Sequence, residues 1–167
     1  MNHNVSFKAP WGSALKFITA LCAIILIGIP LIGIFTGQHK DRLWILGMIV
    51  MPLSILIIAS FFMIRGYALS GDTLLIHRLG WESKLNVRDL VSIEVDPEAM
   101  SRSIRTWGNG GLFCFAGLFR NKKLGSYRAF ATDPKRAVVL KFPNRTIVVT
   151  PDKPEVFLES IKGLINI

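Results

Sequence analysis

With 167 residues, 51% of them apolar, a net charge of +9 and a mean hydropathy of +0.45, the chain is too apolar for an ordinary water-soluble domain and long enough for one modest domain plus a membrane anchor. Its two cysteines, Cys22 and Cys114, lie in different parts of the sequence, which excludes a disulfide framework or a Cys-x-x-Cys metal knuckle and fits a reducing compartment.

Residues 1–13 read as an N-terminal tail. Neither Phe17–Gln38 nor Leu43–Ile64 contains an Asp, Glu, Lys, Arg or His, and each block is 22 residues long. A helix of that length spans about 33 Å, the thickness of a bilayer's hydrocarbon core. The pattern predicts a transmembrane helical hairpin over 14–64, with helices at about 14–35 and 43–64. Pro30, the length of the first block and the lack of a small-x-small exit argue against a cleaved signal. Leu21 before Cys22 argues against lipoprotein processing. Pro30 and Pro52 predict kinks. No ionisable side chain sits at mid-depth, where ion or proton pathways carry them. The connector "TGQHKDR", Thr36 to Arg42, is too short to cross a bilayer, so both termini lie on one side. Arg65, Arg78, Lys84 and Arg88 follow the second helix, and the positive-inside rule then puts that side in the cytoplasm.

From Arg65 onward the periodicity is that of strands. "GYALS" and "TLLIHRLG" flank the turn Gly71-Asp72, a two-residue hairpin signal. "WESKLNV" follows a turn at Gly80. In "DLVSIEVD" the alternation sets Leu90, Ser92, Glu94 and Asp96 on one face and Val91, Ile93 and Val95 on the other. "GSYRAFAT" follows the turn "NKKLG", and "AVVLKF" and "RTIVVT" flank Pro143-Asn144 as a last hairpin. Then "TPDKPEVFLESIKGLINI" reads as a helix, with Thr150 or Asp152 as N-cap and Pro in the first turn. Phe157, Ile161, Leu164 and Ile165 form one apolar stripe. About seven strands in a bent sheet or partial barrel, capped by a C-terminal amphipathic helix, is the predicted fold of 65–167.

This order, with "WGNGGLFCFAGLFRNKKLGSYRAFATD" and "IVVTPDKPEVFLESIK", resembles a bacterial pleckstrin-homology-like (PH-like) domain of the membrane-anchored type that follows two transmembrane helices. The resemblance implies a mainly-β barrel with its helix in one mouth, and an interaction module in place of a catalyst. It brings no stereospecific phosphoinositide pocket: the first hairpin loop, which supplies the basic headgroup ligands in phosphoinositide-binding pleckstrin domains, is here the short, acidic "SGD".

The stretch "TWGNGGLFCFAGLFRNKKLG" is the one that tempts an enzymatic reading. No Gly-Lys pair exists for a Walker loop, and Phe113 stands where a dinucleotide fingerprint needs its third glycine. Its charge-free run is too short to span a membrane. It reads as a glycine-punctuated β segment in which Phe113 and Phe115 alternate with Leu112 and Cys114, so that one pair enters the core. Cys114 reads as a small core residue and His77 as a strand-face residue. His3, His39 and His77 share no spacing with a nucleophile or metal set, so no cofactor, metal or catalytic residue is expected.

The charges around this stretch carry the functional expectation. Arg102, Arg105, Arg120, Lys122, Lys123, Arg128, Lys135 and Arg136, with Trp107 among them, are the candidate lipid- or partner-binding residues. Five of them, Arg120, Lys122, Lys123, Lys135 and Arg136, would form a diffuse patch facing anionic headgroups if they share a face. The basic pI of about 10.0 would also suit nucleic acid, but membrane attachment explains it more simply, and no nucleic-acid partner is expected. The sequence thus points to a two-span protein of the bacterial cytoplasmic (inner) membrane with both termini cytoplasmic. It would be a non-enzymatic module for a protein partner or anionic lipids. The alternative is a small membrane enzyme or accessory subunit with a site between hairpin and domain.

Overall fold

A computed structural model describes residues 5–36 and 41–165. Residues 37–40 of the predicted connector, and with them His39, lie outside this range, as does His3. Helix α1 spans Ser13–Thr36 and α2 spans Arg42–Phe61, and both are long and apolar enough to cross a membrane. Asp41 caps α2 by accepting the N–H of Trp44 at 3.0 Å. Near the connector the two helices close on each other: a Cβ on Gly33 would lie 2.7 Å from the Trp44 ring. In α2 the five residues Leu46–Val50 widen into a π-helical turn just ahead of Pro52. Pro52 has no N–H to donate, and the widened turn is how the helix absorbs that missing bond.

Among the described residues ten strands follow the order β1 Val5–Lys8, β2 Ile64–Ser70, β3 Thr73–Arg78, β4 Glu82–Asn86, β5 Ser92–Val95, β6 Ile104–Gly110, β7 Phe115–Asn121, β8 Gly125–Ala131, β9 Val138–Phe142 and β10 Arg145–Val149, and helix α3 (Pro154–Ile165) comes last. They form a four-stranded sheet, β1-β2-β3-β4, and a six-stranded sheet, β5-β9-β10-β8-β7-β6, in which only β8 and β10 run parallel. The predicted class, N-terminal helices followed by a mainly-β domain with a C-terminal helix, is the observed one.

β1 is not among the predicted elements, which leave residues 1–13 as a tail. It lies before the hairpin, yet pairs antiparallel with β2, Lys8 opposite Gly66 and Val5 opposite Leu69. The strand on each side of the hairpin therefore belongs to one sheet, and the domain ends of α1 and α2 lie together. The alternation in "DLVSIEVD" also fails at its start. A turn closed by the Leu90 N–H on the Val87 carbonyl delays β5 to Ser92, so Leu90 is buried and Val91 exposed. Thr150 and Asp152 do not cap α3. Asp152 exchanges bonds with the Lys8 backbone, Thr150 is buried in a hydroxyl network, and the first turn closes on the Lys153 carbonyl.

Two cores result. The inner one lies between the sheets and includes Phe7, Tyr67, Leu74, Phe130 and Leu140, with Phe157 and Ile161 of α3 fully buried and Leu164 and Ile165 beside them. Phe157 meets Phe7 edge-to-face at 5.1 Å. The outer core covers the opposite face of the six-stranded sheet, where Ala129, Ala131, Val139 and Val148 pack under Leu15, Trp11 and Ile18. The first turns of α1 are thus part of the domain's packing.

Candidate functional site

The glycine-rich stretch forms the β6–β7 hairpin. Its turn, Gly111–Cys114, is wedged against α1. The buried Thr19 hydroxyl donates to the Gly111 carbonyl at 3.0 Å and accepts the Phe113 N–H at 3.1 Å. Gly111 has φ 134°, and a Cβ there would press into Ile18 at 2.8 Å. Farther along, Gly108 faces Gly117 across the ladder, and a side chain on Gly117 (φ 147°) would collide with the Trp107 carbonyl. The glycines serve close backbone approach. Phe113 is in the turn, half-buried against Trp11, so it does not alternate with Phe115, whose ring is buried.

The junction between α2 and the domain is built on Arg78. Its guanidinium lies 5.9, 5.5 and 5.3 Å from the ring centres of Phe62, Trp81 and Phe130, and it donates to the Phe62 carbonyl at 3.2 Å. Burial pulls its pKa below the usual value. The buried Cys114 thiol donates to the same carbonyl, and burial pushes its pKa up to about 11. A thiol held there is protonated at neutral pH and is a poor nucleophile. Beneath it Tyr67 donates to the Phe130 carbonyl at 2.6 Å and accepts the Thr150 N–H, and burial raises its pKa to about 12. His77 pairs across the sheet with Glu82 at 2.8 Å. Among the described residues no group of His, Cys, Asp and Glu is arranged to hold a metal.

The nine candidate residues are distributed over four places. Arg102, Arg120, Lys122 and Lys123 line a groove of about 890 Å³ at the β7–β8 turn, where Lys123 pairs with Asp96. Lys135 and Arg136 sit in a 3-10 turn beyond the other end of β8, where Arg136 pairs with Asp133 and donates to the Asp152 carbonyl. The seven residues of β8 separate these two groups by about 20 Å. Arg105 and Trp107 line a groove of about 790 Å³ between β6 and the last turns of α2.

Arg128 opens into a fourth place, a cleft of about 520 Å³ between β4 and the β8–β10 pair. Lys84 and Arg145 join it there, over an apolar floor that includes Ile76, Leu118 and Ile147. No acidic side chain lines the cleft, and among the described residues none of the three cations is in an ion pair. Lys84 and Arg145 were not among the sequence candidates. They are 61 residues apart, and only barrel curvature brings them to Arg128. The cleft opens toward the Asn144–Arg145 turn and Ser126, the end of β8 and β10 away from Thr132, whose carbonyl receives the Gly12 N–H at the start of α1.

A family model described as bacterial PH domain matches residues 65–165. No curated protein and no solved structure matches the chain.

Proposed function

The chain belongs to the bacterial PH domain family, and from that premise we propose that it is a membrane-anchored, non-catalytic interaction module whose cleft between β4 and β8–β10 receives an acidic, partly apolar segment of a cytoplasmic protein. The observation that carries this reading is the convergence of Lys84, Arg128 and Arg145, without acidic neighbours, over an apolar floor. Unpaired cations around a hydrophobic strip select a ligand that alternates carboxylates with apolar side chains, and the charges set specificity and on-rate. The cleft opens away from the hairpin, which favours a soluble partner over the headgroups of the anchoring membrane. The anchor is the α1–α2 hairpin in the bacterial cytoplasmic membrane. Arg65, Arg78, Lys84 and Arg88 next to α2 support a cytoplasmic domain. The protonated Cys114 and the ring-stacked Arg78 at the junction support a binding role over catalysis there.

The test uses the full-length chain in zwitterionic nanodiscs and short fluorescent peptides, one alternating Glu and Leu, the other Lys and Leu. The acidic peptide binds in a salt-sensitive manner. Arg128→Glu or Arg145→Glu weakens it about fivefold, equivalent to roughly 1 kcal/mol, whereas Lys122→Glu, outside the cleft, leaves it unchanged. Equal binding of both peptides, or indifference to the cleft reversals, would overturn the proposal. Competition by anionic vesicles that matches the acidic peptide would assign the cleft to lipid instead.

A further inference from the structure

Strand β6 is an edge of the six-stranded sheet, and it carries Trp107 in the open, 76% exposed, while Ile104 at its start lies in the groove of the β7–β8 turn. An edge strand of a water-surrounded domain normally carries charge or proline there, because bare apolar edges pair with other chains. The groove beside Trp107 is walled by Ile55, Ile58 and Ala59 of α2 and by Phe62 just after it. Three of these, Ile55, Ile58 and Phe62, are themselves exposed, continuous with the apolar surface of the hairpin. Ile55 precedes Phe61, the end of α2, by six residues, a rise of about 9 Å. The Trp107 ring therefore lies level with the last 9 Å or so of a helix built to sit in hydrocarbon.

On the reading that α1 and α2 span the membrane, we propose that β6 is a second membrane contact: Trp107 inserts into the headgroup–acyl boundary of the leaflet where α2 emerges, and the occupant of this face is the phospholipid bilayer itself. The depth is fixed from two directions. The Trp107 ring and the α2 groove require acyl chains. The unpaired backbone edge of β6 and the Arg105 guanidinium, which donates to the Gly108 carbonyl at 3.1 Å, require water or headgroups. Only the interfacial layer supplies both, and it is where tryptophan, with an apolar ring and one N–H donor, is enriched. The β6–β7 turn points the same way, since its anchor Thr19 lies six residues into α1. The domain thus rests on the bilayer through a strand as well as through two helices, which fixes its tilt and keeps the cleft turned outward.

The test is depth-resolved quenching in phosphatidylcholine vesicles holding the full-length chain. A variant whose only tryptophan is Trp107 (Trp11, Trp44 and Trp81 replaced by Phe) is compared with one whose only tryptophan is Trp44, which reports hairpin insertion at the other interface. Trp107→Phe in the otherwise unaltered chain gives the same signal by difference, should the triple replacement disturb the Arg78 junction. The inference expects blue-shifted Trp107 emission, loss of intensity to lipids brominated near the glycerol end of the acyl chain, weaker loss to deep bromines, and little quenching by aqueous iodide. If Trp44 is quenched by brominated lipid while Trp107 emits as in water and is quenched by iodide, the inference is overturned and the membrane reading stands. Protection of Trp107 from both quenchers also overturns it, in favour of a protein occupant. Absence of lipid quenching at both positions overturns the spanning hairpin on which the inference rests.

Discussion

The hydroxyl of Thr19, in the second turn of α1, accepts the backbone N–H of Phe113 at 3.1 Å across 94 residues of sequence. With its bond to the Gly111 carbonyl, this buried side chain ties the first membrane-type helix to a β-hairpin turn of the domain. Tether and barrel therefore form one packed unit at this point, because Leu15 and Ile18 of the same helix face cover the six-stranded sheet.

Thr19→Val keeps the shape and removes both bonds. It leaves a buried carbonyl and a part-buried N–H without a partner, at a cost of about 1–3 kcal/mol for the carbonyl and less for the N–H. Unfolding of the full-length protein in detergent shifts to lower temperature, and hydrogen exchange of the Gly111 to Cys114 amides accelerates first. Unchanged exchange in this turn would mean that the Thr19 bonds do not hold the hairpin against α1.

The Phe7–Phe157 contact joins the first strand to the last helix. Either residue replaced by Ala lowers stability by about 3–5 kcal/mol, and the double variant loses less than the sum because the rings share one contact. A chain shortened to the family-matched residues 65–165 lacks β1 and the cover supplied by Trp11, Leu15 and Ile18. It is expected to melt well below the full-length protein. Equal melting temperatures would show β1 to be an addition the barrel does not need.

The alkaline limb of the stability curve follows from Tyr67 and Cys114. Both are acids whose neutral form is favoured in the folded state, by burial in each case: the thiol moves from 9.0 to about 11 and the phenol from 10.0 to about 12. The unfolded chain releases these protons first, so their contribution is fully present below pH 9 and is lost as pH rises from 9 through about 12. Denaturant titrations should show stability falling across this window. Cys114→Ala should flatten its lower half and Tyr67→Phe its upper half. A Tyr67→Phe protein with the same alkaline slope would exclude Tyr67 as the group responsible.

The sequence alone determined the elements that local chemistry specifies. Two charge-free blocks could only be apolar helices, the Gly71-Asp72 and Pro143-Asn144 turns fixed two hairpins, and the stripe ending at Ile165 marked the helix that buries Phe157 and Ile161. Each of these signals is complete within a dozen or so residues. The tertiary structure decided what depends on residues far apart. Four residues of the N-terminal stretch, Val5–Lys8, became a strand only because the edge of β2 was there to pair with. The glycine-rich turn took its place because Thr19 met it. The basic residues, a single run in the sequence, went to opposite ends of β8, while Lys84 and Arg145 came from outside that run to meet Arg128 in one cleft. Charge in a sequence has sign and spacing but no direction, and direction is set by which face of which strand the barrel turns outward.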